Sequence, residues 1–253
     1  MLPQIAKENR KVTQTGVLRM EKPLASKVLA FGLVATLMTL ILLAAKPAHA
    51  ATFNVTNTND SGTGSLRQAI EDANNNAGSD TINISATGTI DLQSALSNLT
   101  SMEINGPGAS QLTVRRNTSS PFTIFSIFNQ NVTINGLTIS NGHQTVFGGG
   151  GIYVNSGATL NLSDTIVSGN TANSSTDSMY GGGIANQGTL TLTNSTVSGN
   201  TASGNAGSYG GGINDVGFAV TLTNSTVSTN TATGSNGTGA FTPRATSRSP
   251  TPP

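Results

Sequence analysis

"LNLSDTIVSGNTA" from Leu160, "LTLTNSTVSGNTA" from Leu190 and "VTLTNSTVSTNTA" from Val220 are near-literal copies, each starting 30 residues after the last. Each follows a glycine run that ends in isoleucine: Gly151-Ile152, Gly183-Ile184 and Gly212-Ile213. A fixed period of this length means one structural unit stacked on copies of itself. Within a copy, Leu190, Leu192 and Val197 alternate with threonine, serine and asparagine, the pattern of half-buried strands. Gly199 and Asn200 mark a turn, and Ile184-Ala185-Asn186 reads as a further short strand ended by Gln187-Gly188. About three short strands per period, wound into parallel sheets at a spacing of about 4.8 Å, make a parallel β-helix. Such a solenoid is chiefly a long surface, which puts a scaffold or binding role ahead of catalysis.

Stacking turns equivalent positions into columns. Leu162, Leu192 and Leu222 are expected inside, as are Val167, Val197 and Val227. Each buried aliphatic contributes roughly 1.5–3 kcal/mol. Asn170, Asn200 and Asn230 are expected to stack at a corner, with their amides bonding along the column or capping the turn. Asp164, Asn194 and Asn224 form another column. Upstream the period is looser. "NVTINGLTISNG" from Asn131 and "SMEINGPGASQLTV" from Ser101 read as earlier coils, and "DTINIS" from Asp80 with "GTIDL" from Gly88 as the first strands, giving about six coils in all.

One helix is predicted ahead of them. Leu66, Ala69, Ile70 and Ala73 share a face at helical spacing. Ser65 is its expected N-cap, and Gln68 completes a capping box. A lone amphipathic helix at the start of a solenoid plugs the open first coil.

The ends differ in character. Residues 28–45 are an unbroken apolar run preceded by Lys22 and Lys27 and followed by Ala48-His49-Ala50, the layout of a secretory signal peptide cut after Ala50. No membrane span is expected after that cut, and a secreted or cell-surface location follows. Met20 makes a better start than Met1. From Ala51 onward five basic residues (Arg67, Arg115, Arg116, Arg244, Arg248) face nine acidic ones, so the mature chain is mildly acidic and offers no basic patch for nucleic acid. No lysine follows Lys46 and there is no cysteine, so an exported chain holds together without disulfides. Residues 240–253 lack apolar alternation and read as a tail. Read one base out of frame, with suitable codon choices, they give "GIYTxGNLTITNST", which parallels the repeat from Gly183, so a frameshift near Gly239 is expected. The chain thus divides into a leader (1–50), a cap with the first coils (51–100), the repeats (101–239) and the tail (240–253).

Residues 64–82, "GSLRQAIEDANNNAGSDTI", resemble the CSLREA domain, a short N-terminal module of exported bacterial repeat proteins. Gly64 stands in place of that family's cysteine and Gln68 in place of its glutamate. The repeats resemble those of the chlamydial polymorphic membrane proteins, with Gly182-Gly183-Ile184 and Val197-Ser198-Gly199-Asn200 at the matching motifs. The resemblance implies a right-handed parallel β-helix displayed outside the cell, with adhesive or envelope roles. No translocating barrel or sortase-type signal is read in residues 240–253, so the means of anchoring is expected to be missing from them or lost with a C-terminal part.

The rival reading is a carbohydrate-active enzyme, since polysaccharide lyases and hydrolases share this fold. Hydrolysis needs two carboxylates across the scissile bond. From Asn131 onward the acids are Asp164, Asp177 and Asp215, at different points of the period, and no Lys or Arg lies between Arg116 and Arg244. His143 stands alone, and the glycine runs lack the lysine of a phosphate loop. No catalytic set, cofactor or metal cluster is therefore assigned. Phe147, Tyr180 and Tyr209 each precede a glycine run and form a candidate ridge for stacking on sugar rings, or on one another. The expected partner is an extracellular glycan or a host or cell-surface protein.

Overall fold

Repeated short strands that cannot bury an apolar face alone do so by stacking, and the computed structural model shows that stack for residues 49–146, 148–234, 239 and 241–242. The chain opens with β1 (Thr52–Val55) and helix α1 (Leu66–Asn75). Next come β2 (Asp80–Ile84), β3 (Gly88–Leu92), β4 (Met102–Asn105), β5 (Leu112–Arg116) and β6 (Phe125–Ile127). A coil of β7 (Asn131–Asn135), β8 (Thr138–Ser140), β9 (His143–Gln144) and β10 (Ile152–Val154) follows. The first full repeat holds β11 (Thr159–Ser163), β12 (Ile166–Ser168), β13 (Thr171–Ser174), β14 (Ser178–Tyr180) and β15 (Ile184–Asn186). The second holds β16 (Thr189–Thr193), β17 (Thr196–Ser198), β18 (Thr201–Gly204), β19 (Gly207–Tyr209) and β20 (Ile213–Asp215). Last come β21 (Ala219–Thr223), β22 (Thr226–Ser228), β23 (Thr231–Thr233) and β24 (Phe241–Thr242).

Successive coils lay these strands side by side. A seven-stranded sheet runs β1-β2-β4-β7-β11-β16-β21, a six-stranded one β22-β17-β12-β8-β5-β3 and a five-stranded one β24-β20-β15-β10-β6. Two smaller sheets, β23-β18-β13-β9 and β14-β19, complete the wall. The result is a β-solenoid of about six turns with parallel pairing and a single helix among the described residues. Where the sequence predicts about three strands per period, the two full repeats hold five each. One added break in each has a backbone cause. Asp164 and Asn194 take φ of 49° and 50°, so the chain bends where alternation alone reads as continuous strand, while Gly169 and Gly199, at 63°, make the turn expected before the asparagines and β14 and β19 are the further added strands. Asn and Asp reach this left-handed region at lower cost than other side chains.

The columns are in register. Leu162 pairs with Leu192 and Leu192 with Leu222, while Val167, Val197 and Val227 align in the next sheet. Leu162, Leu192, Val167 and Val197 are buried in one continuous core. Leu222 departs from the expected interior: it is 41% exposed, and Val227 is only partly buried. Both keep their column, but no described coil lies beyond β21 and β22 to cover them. Within residues 240–253, read as a tail from the sequence, Phe241 and Thr242 form a short strand that pairs with Ile213 and Asn214.

Helix α1 buries Leu66, Ala69, Ile70 and Ala73 against the first coil. The Ser65 hydroxyl accepts from the Gln68 amide at 3.2 Å. The return half of the expected capping box is absent: Ser65 N–H goes to the Gly62 carbonyl, and the Gln68 side chain donates to Asp72 at 2.8 Å. Asp72 lies one turn along the helix, within easier reach of the amide. Arg67 ties the cap down through Asp60 at 2.7 Å and the carbonyls of Ser94 and Ala95.

Candidate functional site

The wall's corners are built from polar ladders. Asn170 and Asn200 are fully buried. Asn200 Oδ1 accepts from both nitrogens of Asn170, N and Nδ2, at 2.9 Å each, and Asn230 Oδ1 does the same for Asn200. Each Nδ2 also reaches a strand carbonyl: Ile139 from Asn170, Val167 from Asn200 and Val197 from Asn230. The ladder therefore binds along the column and caps the turn at once. It ends at Gly142, whose N–H donates to Asn170 Oδ1 at 2.8 Å. A second ladder, of hydroxyls, runs through Thr165, Ser195 and Ser225.

Tyr180 and Tyr209 come together at the ends of β14 and β19. They pair in register and their rings stack at 5.3 Å and 12°. Gly207 lies close under this stack: a Cβ there would sit 3.1 Å from Tyr209 Cε2 and Oη, so the ring would have to shift slightly. Phe147 lies outside the described residues, so the ridge read from the sequence contains two described members. The glycine runs beside it are places of close backbone approach: a Cβ on Gly182 would sit 2.3 Å from the Gly211 carbonyl oxygen.

Beside the tyrosine stack lies a cleft of about 200 Å³ lined by Tyr180, Ala185, Asn186, Gln187, Asn214 and Val216. It opens on the outward face of the five-stranded sheet, where Tyr153, Ala185 and Asn214 form one column. The Tyr153 hydroxyl donates to Gln187 at 2.9 Å, and its ring meets Phe128 edge-on at 5.6 Å. Burial pushes the Tyr153 phenol above its ordinary value. Val216 in the lining and Phe128 beside Tyr153 stay exposed. The cleft lining carries no ionisable group but the tyrosine phenol, and it offers a ring, a branched aliphatic and the amides of Gln187 and Asn214, that of Asn186 being buried and bonded to Asp215 and Gly188. Sequence reading singled out the tyrosines but missed Gln187, Asn214, Val216 and Tyr153. The signal lay in the alternation after each glycine run, "IYVNSG", "IANQG" and "INDVG", whose outward members differ from coil to coil.

The carboxylates fall on separate elements. Asp164 sits at the corner between β11 and β12, held by the Ser163 hydroxyl at 2.9 Å. Asp177 precedes β14 and bonds Ser174 and Thr176. Asp215 is buried at the end of β20, where it accepts from Asn186 Nδ2 at 2.6 Å and from Gly217 N–H at 3.1 Å. His143 Nε2 lies 2.5 Å from Asn173 Oδ1, a neutral partner on the next coil. Among the described residues, no group of three or more His, Cys, Asp or Glu side chains could hold a metal ion, and no helix is long and apolar enough to cross a membrane. Fold and geometry together define a β-solenoid with a neutral, aromatic-edged cleft on one sheet. No protein-family model matches the chain, and no curated protein matches it.

Proposed function

We propose that this chain is an exported, non-catalytic surface protein whose solenoid presents a binding face to neutral extracellular glycan. One observation carries the reading: Tyr180, Val216, Gln187 and Asn214 meet in a cleft free of acidic and basic side chains. Sugar rings offer apolar C–H faces to aromatic and aliphatic side chains, and hydroxyls to amides, so this lining suits them. The separate placement of Asp164, Asp177 and Asp215 weighs against glycoside hydrolysis, which needs two carboxylates flanking one bond. Export is supported by the leader pattern of residues 28–50 and by the CSLREA-like stretch at residues 64–82.

A glycan array probed with the exported protein tests the binding reading. Val216→Asp alters a residue that is 55% exposed and places a charge in the cleft without touching the core. It is expected to lower binding at least about tenfold, the effect of about 1.4 kcal/mol. Tyr180→Ala with Tyr209→Ala is expected to abolish binding. Retention of full binding by both variants refutes the cleft as the site.

A further inference from the structure

Asp80 is the described residue whose chemistry the fold leaves incomplete. It opens β2 with only 1% of its surface exposed. Its Oδ1 accepts from the Ala51 N–H at 2.8 Å and from Asn76 Nδ2 at 2.7 Å. Its Oδ2 is buried with no hydrogen-bond partner, the single such side-chain atom among the described residues. Neither described ion pair includes Asp80. A carboxylate buried with one oxygen idle is costly, and it is costlier still without a cation beside it.

The nitrogen it holds is a special one. Ala51 is the first residue after the Ala48-His49-Ala50 motif. Its carbonyl accepts from Thr81 N–H at 2.9 Å, so the backbone ladder pins Ala51 against β2 whether or not anything precedes it. Asn76 Nδ2 also donates to the His49 carbonyl at 2.7 Å, and His49 and Ala50 are exposed beyond it.

We propose that Asp80 is the receptor for the amino terminus created by leader removal. This rests on the export reading above. Hydrolysis by the export peptidase breaks the Ala50–Ala51 peptide bond. Water supplies hydroxide to the Ala50 carbonyl carbon and a proton to the Ala51 nitrogen, and the freed amine takes a further proton from solvent near neutral pH. One amide donor becomes an ammonium with three, already bonded to one oxygen of a carboxylate whose other oxygen lacks a partner. The buried charge gains its counter-charge, and β1 is clamped to β2 at the cap of the solenoid. The ion pair forms only in processed chains, so it couples the folding of the first coil to removal of the leader.

The sequence provides a clean probe. No lysine follows Lys46, so the α-amine is the sole aliphatic amine of a chain that begins at Ala51. The experiment exports three full-length chains: the natural one, one with a glycine inserted between residues 50 and 51, and Asp80→Asn. N-terminal sequencing reads the start of each, circular dichroism checks the fold, and amine acylation by an N-hydroxysuccinimide ester near neutral pH is timed. The natural chain is expected to begin at Ala51 and to acylate at least roughly tenfold more slowly than the glycine-extended chain, because an opposite charge at this range holds the amine protonated. Asp80→Asn is expected to acylate at the fast rate, and the glycine-extended chain keeps the test alive should that variant fail to fold. Equal rates in the natural and glycine-extended chains overturn the ion pair and leave export standing. A mature start elsewhere than Ala51 also overturns it. A chain that keeps its leader overturns the export reading and this proposal together.

Discussion

Leu192 and Leu222 occupy the same place in two copies of almost the same sequence, and they meet different environments. Both point inward from the seven-stranded sheet and pair with each other in register. Leu192 is fully buried, whereas Leu222 is 41% exposed. The local sequence is "TLTLTNST" in one coil and "AVTLTNST" in the other, so local preference does not explain the difference. The coil above does. In a solenoid a residue's burial depends on both neighbours, and Leu222 has a described neighbour on one side only. The first coil solves the same problem with α1, which seats Leu66, Ala69, Ile70 and Ala73 over the opening.

Truncating each leucine in turn separates the two environments. Leu192→Ala empties a site enclosed on both sides and is expected to cost about 2–5 kcal/mol. Leu222→Ala removes a side chain that water already reaches, and is expected to cost under about 1 kcal/mol. Urea unfolding of both variants, followed by circular dichroism, measures the difference. Equal costs mean that a further layer covers Leu222 in solution.

The asparagine ladder sharpens the contrast with polar groups. Replacing Asn200 by alanine strips an acceptor from Asn170 N and Nδ2 and a donor from the Val167 carbonyl, all in the middle of the stack. A buried group left unpaired costs about 1–3 kcal/mol, and several are released together. The expected loss is about 2–3 kcal/mol, and hydrogen exchange is expected to speed up in β12 and β17 together. Faster exchange confined to one coil argues that the ladder merely caps each turn and does not couple coils.

What could be read in advance follows from what stacking demands. A column has to repeat its residue type, so Leu162 and Leu192, or Asn170 and Asn200, announce themselves by their spacing. Helix α1 is legible for a similar local reason, because its apolar residues recur at three and four. The division of each repeat into five strands was hidden, since Asp164 and Asn194 look like ordinary outward polar residues until their positive φ is known. Gln68 shows the limit of a motif, as its spacing to Ser65 is right but Asp72 takes its amide. The cleft was only half legible. Tyr180 and Tyr209 repeat, whereas Asn214 and Val216 lie in positions that vary between coils and so carry no periodic signal. Asp80 was invisible as a site because its partner, Ala51, lies 29 residues away and is an ordinary backbone nitrogen.

The subtlest test concerns the corner before the asparagine ladder. Gly169 and Gly199 hold it with φ of 63°, and Thr229 holds it in the last copy with φ of 52°. A β-branched residue in the left-handed region crowds its own carbonyl, at a cost of roughly 1–2 kcal/mol. Thr229 is exposed and its side chain fills no core space, so nothing in packing offsets that strain. Thr229→Gly is therefore expected to stabilise the terminal coil by about 0.5–1 kcal/mol, the strain relief less the added freedom of glycine when unfolded. The reverse change, Gly199→Thr, is expected to destabilise the coil it belongs to by a similar or larger amount. Hydrogen exchange at β22 and β23 checks the first, and the same measurement at β17 and β18 checks the second. If Thr229→Gly instead loosens its coil, the last repeat does not share the backbone of the others, and its exposure cannot be put down to a missing neighbour alone.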